Sequence, residues 1–456
     1  GINPVPRPDG TVDIEYTVEE KPSDQIELSG GWGGYIGFIG TLGVVFNNFS
    51  AKNIPNLKAW KPLPSGDGQK MAVRFQATGK QYQNYSVSFS EPWLGGKKPN
   101  SFSVALNRSV YRIPGVLSYS SSPYSGAYNP YGYGGYGGNS GYGYGGYGGG
   151  GFGGYGGSQY GYGGAGTGTY DASDSTSQQF NTMSLNIGLG KRLRFPDDFF
   201  TLSTNLAYTI YDTRNFGIYP NGKTNGVTFA ASLSRNSVSD PTFPRSGSSF
   251  TLSGTFTPPY SLIGWSKSTS FLEYHKWMFD ATWYTSIVGK LVLSTRAHFG
   301  LVGRYNKNKD YTLFERFDLG GSGMNTQGNF YNARDIVSLR GYDDRVIGPY
   351  SAGGSSLGGV VYNKYIAELR YPISLNPSAT IFILAFAEGG NNFGSLKEYS
   401  PFNLRRSAGL GARIFMPAFG MIGIDYGKGF DPIEGIPNIQ NRGLKAFTFS
   451  IGQQIR

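Results

Sequence analysis

Cysteine is absent from this chain of 456 residues, and histidine occurs only at His275 and His298. Without cysteine the fold contains neither a disulfide nor a thiolate metal site. Two histidines are too few for a metal centre built from imidazoles, and we expect both to lie in the wall of the fold. The sequence therefore predicts no metal and no cofactor.

A long apolar run is also missing. The longest one, 379–387, is about half of the roughly 18–20 residues that a membrane-spanning helix requires. Charged residues make up 15% of the chain and aromatic residues 16%, and the mean hydropathy is −0.31. This composition excludes a helical membrane protein, and it is too aromatic for a disordered chain. An outer-membrane barrel remains open, because its strands need only about 9–11 residues, of which alternate ones face lipid.

Signals for catalysis and nucleic-acid binding are missing as well. We find no Ser/His/Asp set, no phosphate-binding loop and no histidine-rich cluster, so we expect the protein not to be an enzyme. The formal charge of +11 comes from lysines and arginines that are scattered through turns and loops without forming a basic stripe. Contact with lipid phosphates accounts for this charge better than nucleic-acid binding does.

The chain is rich in period-two alternation of apolar and small polar residues. Tyr85, Val87 and Phe89, for example, alternate with serines, which is typical of a β-strand with one apolar face. Sixteen such segments occur, at 26–35, 37–48, 70–79, 82–91, 101–112, 179–190, 199–212, 225–236, 247–257, 274–288, 291–302, 361–371, 379–389, 404–416, 419–427 and 444–455. Such strands build either a soluble sandwich or a membrane barrel with an apolar outer face and a wet lumen.

Three features favour the barrel. The number of segments is even, as a bacterial single-chain barrel requires, and most later connections alternate between long (390–403, 428–443) and short (417–418). Prolines fall between the segments or at their ends, which suits a sheet without edge strands. These prolines are Pro92, Pro196, Pro241, Pro372, Pro377 and Pro417. We therefore predict an all-β fold, a 16-stranded antiparallel transmembrane β-barrel over residues 25–456.

Two regions break the alternation. Within residues 1–24, a strand at 11–20 carries charge on its polar side, which is typical of the last strand of a soluble domain that precedes the barrel. No signal peptide precedes Gly1, so we expect the sequence to be processed or truncated at its start. Residues 113–178 form an insertion with a Gly/Tyr-rich tract at 124–169, which buries too little to offset its ordering entropy. We expect an external loop there, either flexible or ordered by a surface protein that it binds.

A second long external loop, 303–360, is expected to fold into the lumen. It contains the sequence Leu339-Arg340-Gly341-Tyr342. A guanidinium in the lumen needs carboxylate partners. On the strands that follow the loop, the alternation points three acidic side chains inward: Glu368, Glu388 and Asp425.

The first and last predicted strands differ in quality. The first contains Leu28 and the glycines Gly30, Gly31, Gly33 and Gly34, and the last contains Phe447, Phe449 and Ile451. Because glycine weakens a strand, we expect the two ends of the sheet to meet in a lateral seam that opens and offers backbone groups to an incoming strand. The alternative is that the glycines only permit tight curvature of the barrel.

These motifs resemble the BamA family of outer-membrane assembly factors. The Arg340 element with the preceding segment 317–321, the acidic residues Glu368 and Glu388, the turns at 91–95 and 240–247 and the number of strands all match the family. The strand at 11–20 is similar to the end of the last POTRA domain. The chain departs from the family pattern in ending Gln454-Ile455-Arg456 instead of in an aromatic residue, in carrying almost no POTRA sequence, and in having Glu388 where aspartate is more common.

The resemblance implies a central insertase that folds β-barrel proteins into the outer membrane through the seam. It implies that Arg340, Gly341 and Tyr342 lock their loop onto Glu368 and Glu388, and the alternation adds Asp425 as a third inward partner. The expected partners are unfolded barrel proteins, accessory lipoproteins and membrane lipids, and the N-terminus is expected in the periplasm. Two alternatives stay open: a two-partner-secretion-type translocation pore of the same superfamily, and a passive porin.

Overall fold

The computed structural model describes residues 2–7, 12–16, 24–33, 37–60, 63–78, 81–96, 100–113, 177–216, 219–264, 271–321, 334–351, 356–376, 378–416, 420–433 and 445–451. Gly34 of the predicted seam and the Gly/Tyr-rich tract at 124–169 lie outside the described residues. Within these ranges, no helix is long and apolar enough to cross a membrane.

The chain forms one closed antiparallel barrel, preceded by a separate two-stranded sheet of β1 (Ile2–Pro6) and β2 (Val12–Tyr16). The first eight barrel strands are β3 (Gln25–Gly33), β4 (Gly37–Phe49), β5 (Gln69–Thr78), β6 (Tyr82–Glu91), β7 (Asn100–Ile113), β8 (Gln178–Arg192), β9 (Phe200–Arg214) and β10 (Gly222–Asn236). They are followed by β11 (Gly247–Phe256), β12 (His275–Val288), β13 (Leu291–Gly303), the short loop strands β14 (Phe317–Leu319) and β15 (Asp335–Val337), and the wall strands β16 (Val361–Asn376), β17 (Ala379–Phe393), β18 (Arg405–Met416), β19 (Gly420–Gly429) and β20 (Lys445–Ile451). Each of the sixteen predicted segments coincides with one wall strand, so the predicted fold class is confirmed.

Alternation sets the two faces of the wall. On β16, Tyr365, Leu369 and Tyr371 are exposed on the outer face, whereas Glu368 and Arg370 between them are buried in the interior. This follows from the period of two that a strand imposes on its side chains.

The inner face of β17 differs from the polar lumen that the sequence predicts. Phe382, Leu384 and Phe386 point inward and are buried, so this strand is apolar on both faces. The reason is Phe243, which lies in the turn between β10 and β11 and packs edge-on against Phe382, with ring centroids 5.2 Å apart. A turn therefore fills this part of the interior with apolar side chains.

The expectation that prolines avoid the strands is wrong at Pro372. The strand β16 was expected to end at 371 but continues to Asn376, and Pro372 lies inside it. The register against β17 shifts between Pro372 and Ser374. Such an irregularity accommodates a residue that cannot donate to the ladder.

The loop between β13 and β16 is folded and packs against the interior. Its strands β14 and β15 pair in parallel, and its residues Phe314 and Phe317 join an aromatic cluster with inward residues of several wall strands, such as Phe180 and Tyr362. Other described residues of the loop, among them Leu319, Leu339 and Tyr342, form a second buried cluster that also includes Ile433, which follows β19. The loop therefore has a core of its own, which fixes the backbone that carries Arg340.

Candidate functional site

The backbone around Arg340 is held by hydrogen bonds within the loop. Leu339 donates its N–H to the carbonyl of Gly321 at 3.0 Å, and Ile347 donates to the carbonyl of Leu319 at the same distance. Leu319 and Leu339 are fully buried. The sequence that precedes the arginine therefore serves as an apolar base from which the guanidinium projects.

Arg340 reaches all three predicted carboxylates. Its Nε donates to Oε1 of Glu388 at 2.6 Å and its backbone N–H to Oε2 of the same carboxylate at 3.0 Å. Its two terminal nitrogens donate to Glu368 at 2.6 Å and to Asp425 at 3.3 Å. These four side chains are at most 5% exposed. Hydrogen bonds to charged groups contribute about 1.5–3 kcal/mol each, so the set holds the loop strongly to β16, β17 and β19.

Further cations contact the same carboxylates, and together with Arg340 they outnumber them. Arg370 donates to Oε2 of Glu368 at 2.9 Å, Arg413 to Oδ2 of Asp425 at 2.9 Å, and the Lys364 ammonium lies 3.7 Å from Glu388. These three residues are not among the predicted site residues. Strand alternation could have found them, because Arg370 has the same phase as Glu368 on β16.

The charge state of Arg340 is secured by its surroundings. Burial alone lowers the pKa of the Arg340 guanidinium, but Glu388, Glu368 and Asp425 outweigh this effect and leave the pKa raised. The guanidinium carbon of Arg340 also lies 3.7 Å from the centroid of the Phe386 ring, on the apolar inner face of β17. A cation over an aromatic face gains further attraction when water is excluded.

Gly341 and Tyr342 bring the loop into direct contact with β18 and β19. Gly341 has a φ of 90°, and a Cβ built on it would lie 2.9 Å from the backbone nitrogen of Gly429. Its carbonyl accepts the N–H of Gly429 at 3.1 Å. The fully buried Tyr342 donates its hydroxyl to the carbonyl of Arg406 at 2.8 Å. Only glycine fits at position 341, because other side chains would be strained and would collide with the wall.

The two ends of the barrel meet between β20 and β3. In the part of the chain that the structure describes, they pair at two positions, Phe449 opposite Trp32 and Ser450 opposite Gly31. By contrast, β3 pairs with β4 along its whole length, from Gln25 to Gly33. The structure thus brings the predicted first and last strands together, and the join between them is short within the described residues.

The predicted seam residues lie on both sides of this join. Gly30, Gly31 and Gly33 lie within β3, and Phe449 and Ile451 lie within β20. The side chains of Leu28 and Phe447 are exposed on the outer face, at 78% and 60%.

A model of the Omp85 superfamily domain matches residues 65–455, which is most of the chain. The protein belongs to the Omp85 superfamily. The barrels of this superfamily are outer-membrane proteins, which places this chain in that membrane. A comparison with curated protein sequences finds no significant match.

Solved structures resemble this Omp85 protein in fold. BamA from Haemophilus ducreyi lacking POTRA domains 1–3 is 16% identical, with a TM-score of 0.61, and the match covers 99% of this chain and 75% of that one. CdiB from Escherichia coli is 11% identical with a TM-score of 0.53, covering 99% and 66% of the two chains. CdiB from Acinetobacter baumannii is 13% identical with a TM-score of 0.51, covering 99% and 64%. This chain thus spans slightly less than two thirds of the CdiB chains.

Across the described ranges no group of three or more His, Cys, Asp and Glu side chains could hold a metal ion. The three carboxylates that converge near Arg340 are each engaged by arginine nitrogens.

Proposed function

We propose that this Omp85 protein is the central insertase of an outer-membrane assembly machinery, which folds and inserts β-barrel proteins through the join between β3 and β20. Its substrates are unfolded barrel proteins, and accessory lipoproteins and membrane lipids are its other partners. Its N-terminus lies in the periplasm, and residues 1–24 are the end of the last POTRA domain. The activity uses no bond-forming chemistry, because the folding free energy of the substrate drives insertion.

The join carries this proposal: among the described residues, β20 pairs with β3 at two positions and with β19 at seven. Strands that share few backbone hydrogen bonds separate more easily than strands paired along their whole length, and separated strands present unpaired N–H and C=O groups. An incoming strand can pair with such an edge by β-augmentation. Glycine at positions 30, 31 and 33 adds to this, because it offers few side-chain contacts and has more backbone freedom to lose on pairing.

The Arg340 cluster supports the same mechanism, because it lies on the β20 side of the join. It ties the long loop to β16, β17 and β19, the strands that lead up to β20. These strands therefore share a charged interior cluster as well as their ladders. On opening, we expect β20 to stay with this braced wall while β3 moves and serves as the template.

A translocation pore of the same superfamily is the second candidate, because the fold of CdiB is also similar. A pore of this kind exports a soluble partner through its lumen. The packed interior favours the insertase over a passive porin, since Arg340, Phe243 and the aromatic cluster around Phe317 occupy space that an open diffusion channel would need.

Depletion in cells tests the proposal. If the protein is an insertase, its depletion should lower the levels of many unrelated outer-membrane barrels together. These levels are measured by quantitative mass spectrometry of the outer-membrane fraction. Loss of one secreted protein with unchanged barrel levels supports the translocation pore instead. High, steady conductance of the purified protein in planar bilayers supports the porin.

A further inference from the structure

Residues 50–68, which we call the interfacial loop, connect β4 to β5 at the end of the barrel opposite Arg340. Internal hydrogen bonds fix its shape. Ser50 donates its N–H to the carbonyl of Pro64 at 2.9 Å, and the Asn53 side chain donates to the carbonyl of Ser65 at 2.9 Å. The Trp60 indole donates to the carbonyl of Ile54 at 3.2 Å. The described part of the loop, residues 50–60 and 63–68, is therefore a folded unit, although the turns at this end of such barrels are usually short.

The interfacial loop lies on the outer side of the wall. Gln69 has the same strand phase as Val73 and Phe75, which are exposed on the outer face, yet Gln69 is only 7% exposed. The loop covers it: Ala51 donates its N–H to Oε1 of Gln69 at 2.7 Å. Phe49, opposite Gln69 in the register, is 8% exposed. Because these outward residues are buried beneath it, the loop occupies the side where lipid would otherwise meet the strand ends.

The free surface of the interfacial loop is apolar. Leu57 is 77% exposed, Ile54 52% and Trp60 40%. In the next turn at the same end, Trp93 is 55% and Leu94 45% exposed. This turn is joined to the loop region through Glu91, which accepts from the Gln69 side chain at 2.9 Å and from the Trp93 N–H at 2.8 Å.

Basic residues flank these apolar side chains. Residues 50–68 contain three lysines and one aspartate, and the side chains of Lys52 and Lys58 are exposed. Asp67 accepts a hydrogen bond from the Ser50 hydroxyl at 2.6 Å. Apolar and indole side chains beside cations are the combination that settles into the headgroup region of an anionic bilayer.

We propose that the interfacial loop binds the leaflet at its own end of the barrel, inserting Ile54, Leu57 and Trp60 among the lipids while Lys52 and Lys58 contact phosphate. In the orientation given above, this is the periplasmic leaflet. The partner of the interfacial loop is therefore a phospholipid surface with anionic headgroups. The loop follows β4, which pairs with β3. It therefore anchors the barrel to the membrane one strand away from the join. This inference stands whether or not the protein is an insertase.

The test uses the absence of cysteine from the chain. The full chain carrying Leu57→Cys is labelled with the fluorophore NBD and reconstituted in vesicles of phosphatidylethanolamine and phosphatidylglycerol. We expect a nitroxide on the lipid acyl chain to quench most of the fluorescence, and aqueous iodide to quench little. Ser246→Cys is the matched control, because Ser246 is exposed in the turn that carries Phe243 into the interior, and its label should respond to iodide. Strong iodide quenching of the Leu57 label without nitroxide quenching overturns the proposal.

Two sets of variants test the chemistry. Leu57→Asp should abolish nitroxide quenching of a label at Ile54→Cys, whereas Asn56→Asp, which adds the same charge and can still accept the N–H of Lys58, should leave it unchanged. Replacing Lys52 and Lys58 by glutamine should lower the ratio of inserted to exposed label by roughly fivefold per lysine, the equivalent of about 1 kcal/mol per cation near an anionic surface. Equal effects of Leu57→Asp and Asn56→Asp contradict insertion. So does shielding of the Leu57 label that arises only when another protein is added.

Discussion

Arg340 and Glu388 are joined twice: the carboxylate accepts the arginine side-chain Nε on one oxygen and the arginine backbone N–H on the other. The side-chain bond fixes where the guanidinium lies, and the backbone bond fixes the chain that carries it. Glu388 therefore positions the loop itself as well as neutralising the arginine.

Replacing Arg340 by alanine should release the loop. The change leaves buried carboxylates without their shared partner, and breaking a buried pair in this way typically costs about 3–5 kcal/mol. We expect faster tryptic cleavage after Arg345, which is half-buried in the same loop. Arg340→Lys should restore only part of the protection, because an ammonium lacks the forked donors that reach three carboxylates. Unchanged cleavage in Arg340→Ala would show that the loop is held by its apolar core alone.

Glu388→Gln should weaken the attachment of the loop, whereas Asp425→Asn should weaken the stability of the barrel. Glu388 holds Arg340 by two hydrogen bonds, whereas the contact of Arg340 with Asp425 is longer, at 3.3 Å. Asp425 is engaged mainly by Arg413, with both oxygens accepting from it at 2.9 and 3.0 Å. We therefore expect Glu388→Gln to speed cleavage after Arg345, and Asp425→Asn to lower the temperature at which the barrel unfolds on heated gels. Equal cleavage of the two variants contradicts this division.

Gly427→Ala should push the loop off the wall without altering any charge. A Cβ at Gly427 would lie 2.7 Å from the backbone nitrogen of Gly341, which cannot shift without disturbing Arg340. Overpacking of this kind costs about 1–3 kcal/mol. Gly226→Ala is the matched control, since its Cβ would meet nothing closer than 3.7 Å. The measurement is again cleavage after Arg345, and equal rates in the two variants would refute the close approach.

Phe243→Ala should destabilise the barrel at the opposite end of the interior. The ring is 3% exposed and packs against Phe382, and removing a buried phenylalanine costs about 3–5 kcal/mol. We expect a lower unfolding temperature and a smaller increase in cleavage after Arg345 than in Arg340→Ala, because Phe243 reaches Arg340 only indirectly, through the buried cluster that contains Phe386. An unchanged unfolding temperature would mean that the ring contributes nothing to the packing.

Much of this architecture could be predicted because side chains of a β-strand alternate between its two faces, and this alternation is visible in the sequence. Alternation marks each wall strand, and its phase alone points Glu368, Glu388 and Asp425 inward. The strand β1 was not predicted, because it contains Pro4 and Pro6 and proline argues against a strand. The edge of a two-stranded sheet nevertheless tolerates proline.

Contacts across the barrel could not be predicted in the same way. That Arg413 engages Asp425 depends on the register between β18 and β19, which no single strand reveals. The packing of Phe243 against Phe382 joins a turn to a strand that is far away in the chain. Local patterns hold no information on such pairs.

The most direct test of the account closes the join between β3 and β20. Gly31→Cys with Ser450→Cys places two cysteines opposite each other across it, in a chain that has no other cysteine. Gly423→Cys with Ser450→Cys is the matched control, because it links β20 to β19 within the wall. Both oxidised proteins are reconstituted in vesicles, and the folding of an unfolded barrel substrate is followed on gels. We predict that the first disulfide stops folding until a reductant is added, while the control remains active. Full activity with β3 and β20 joined would contradict it.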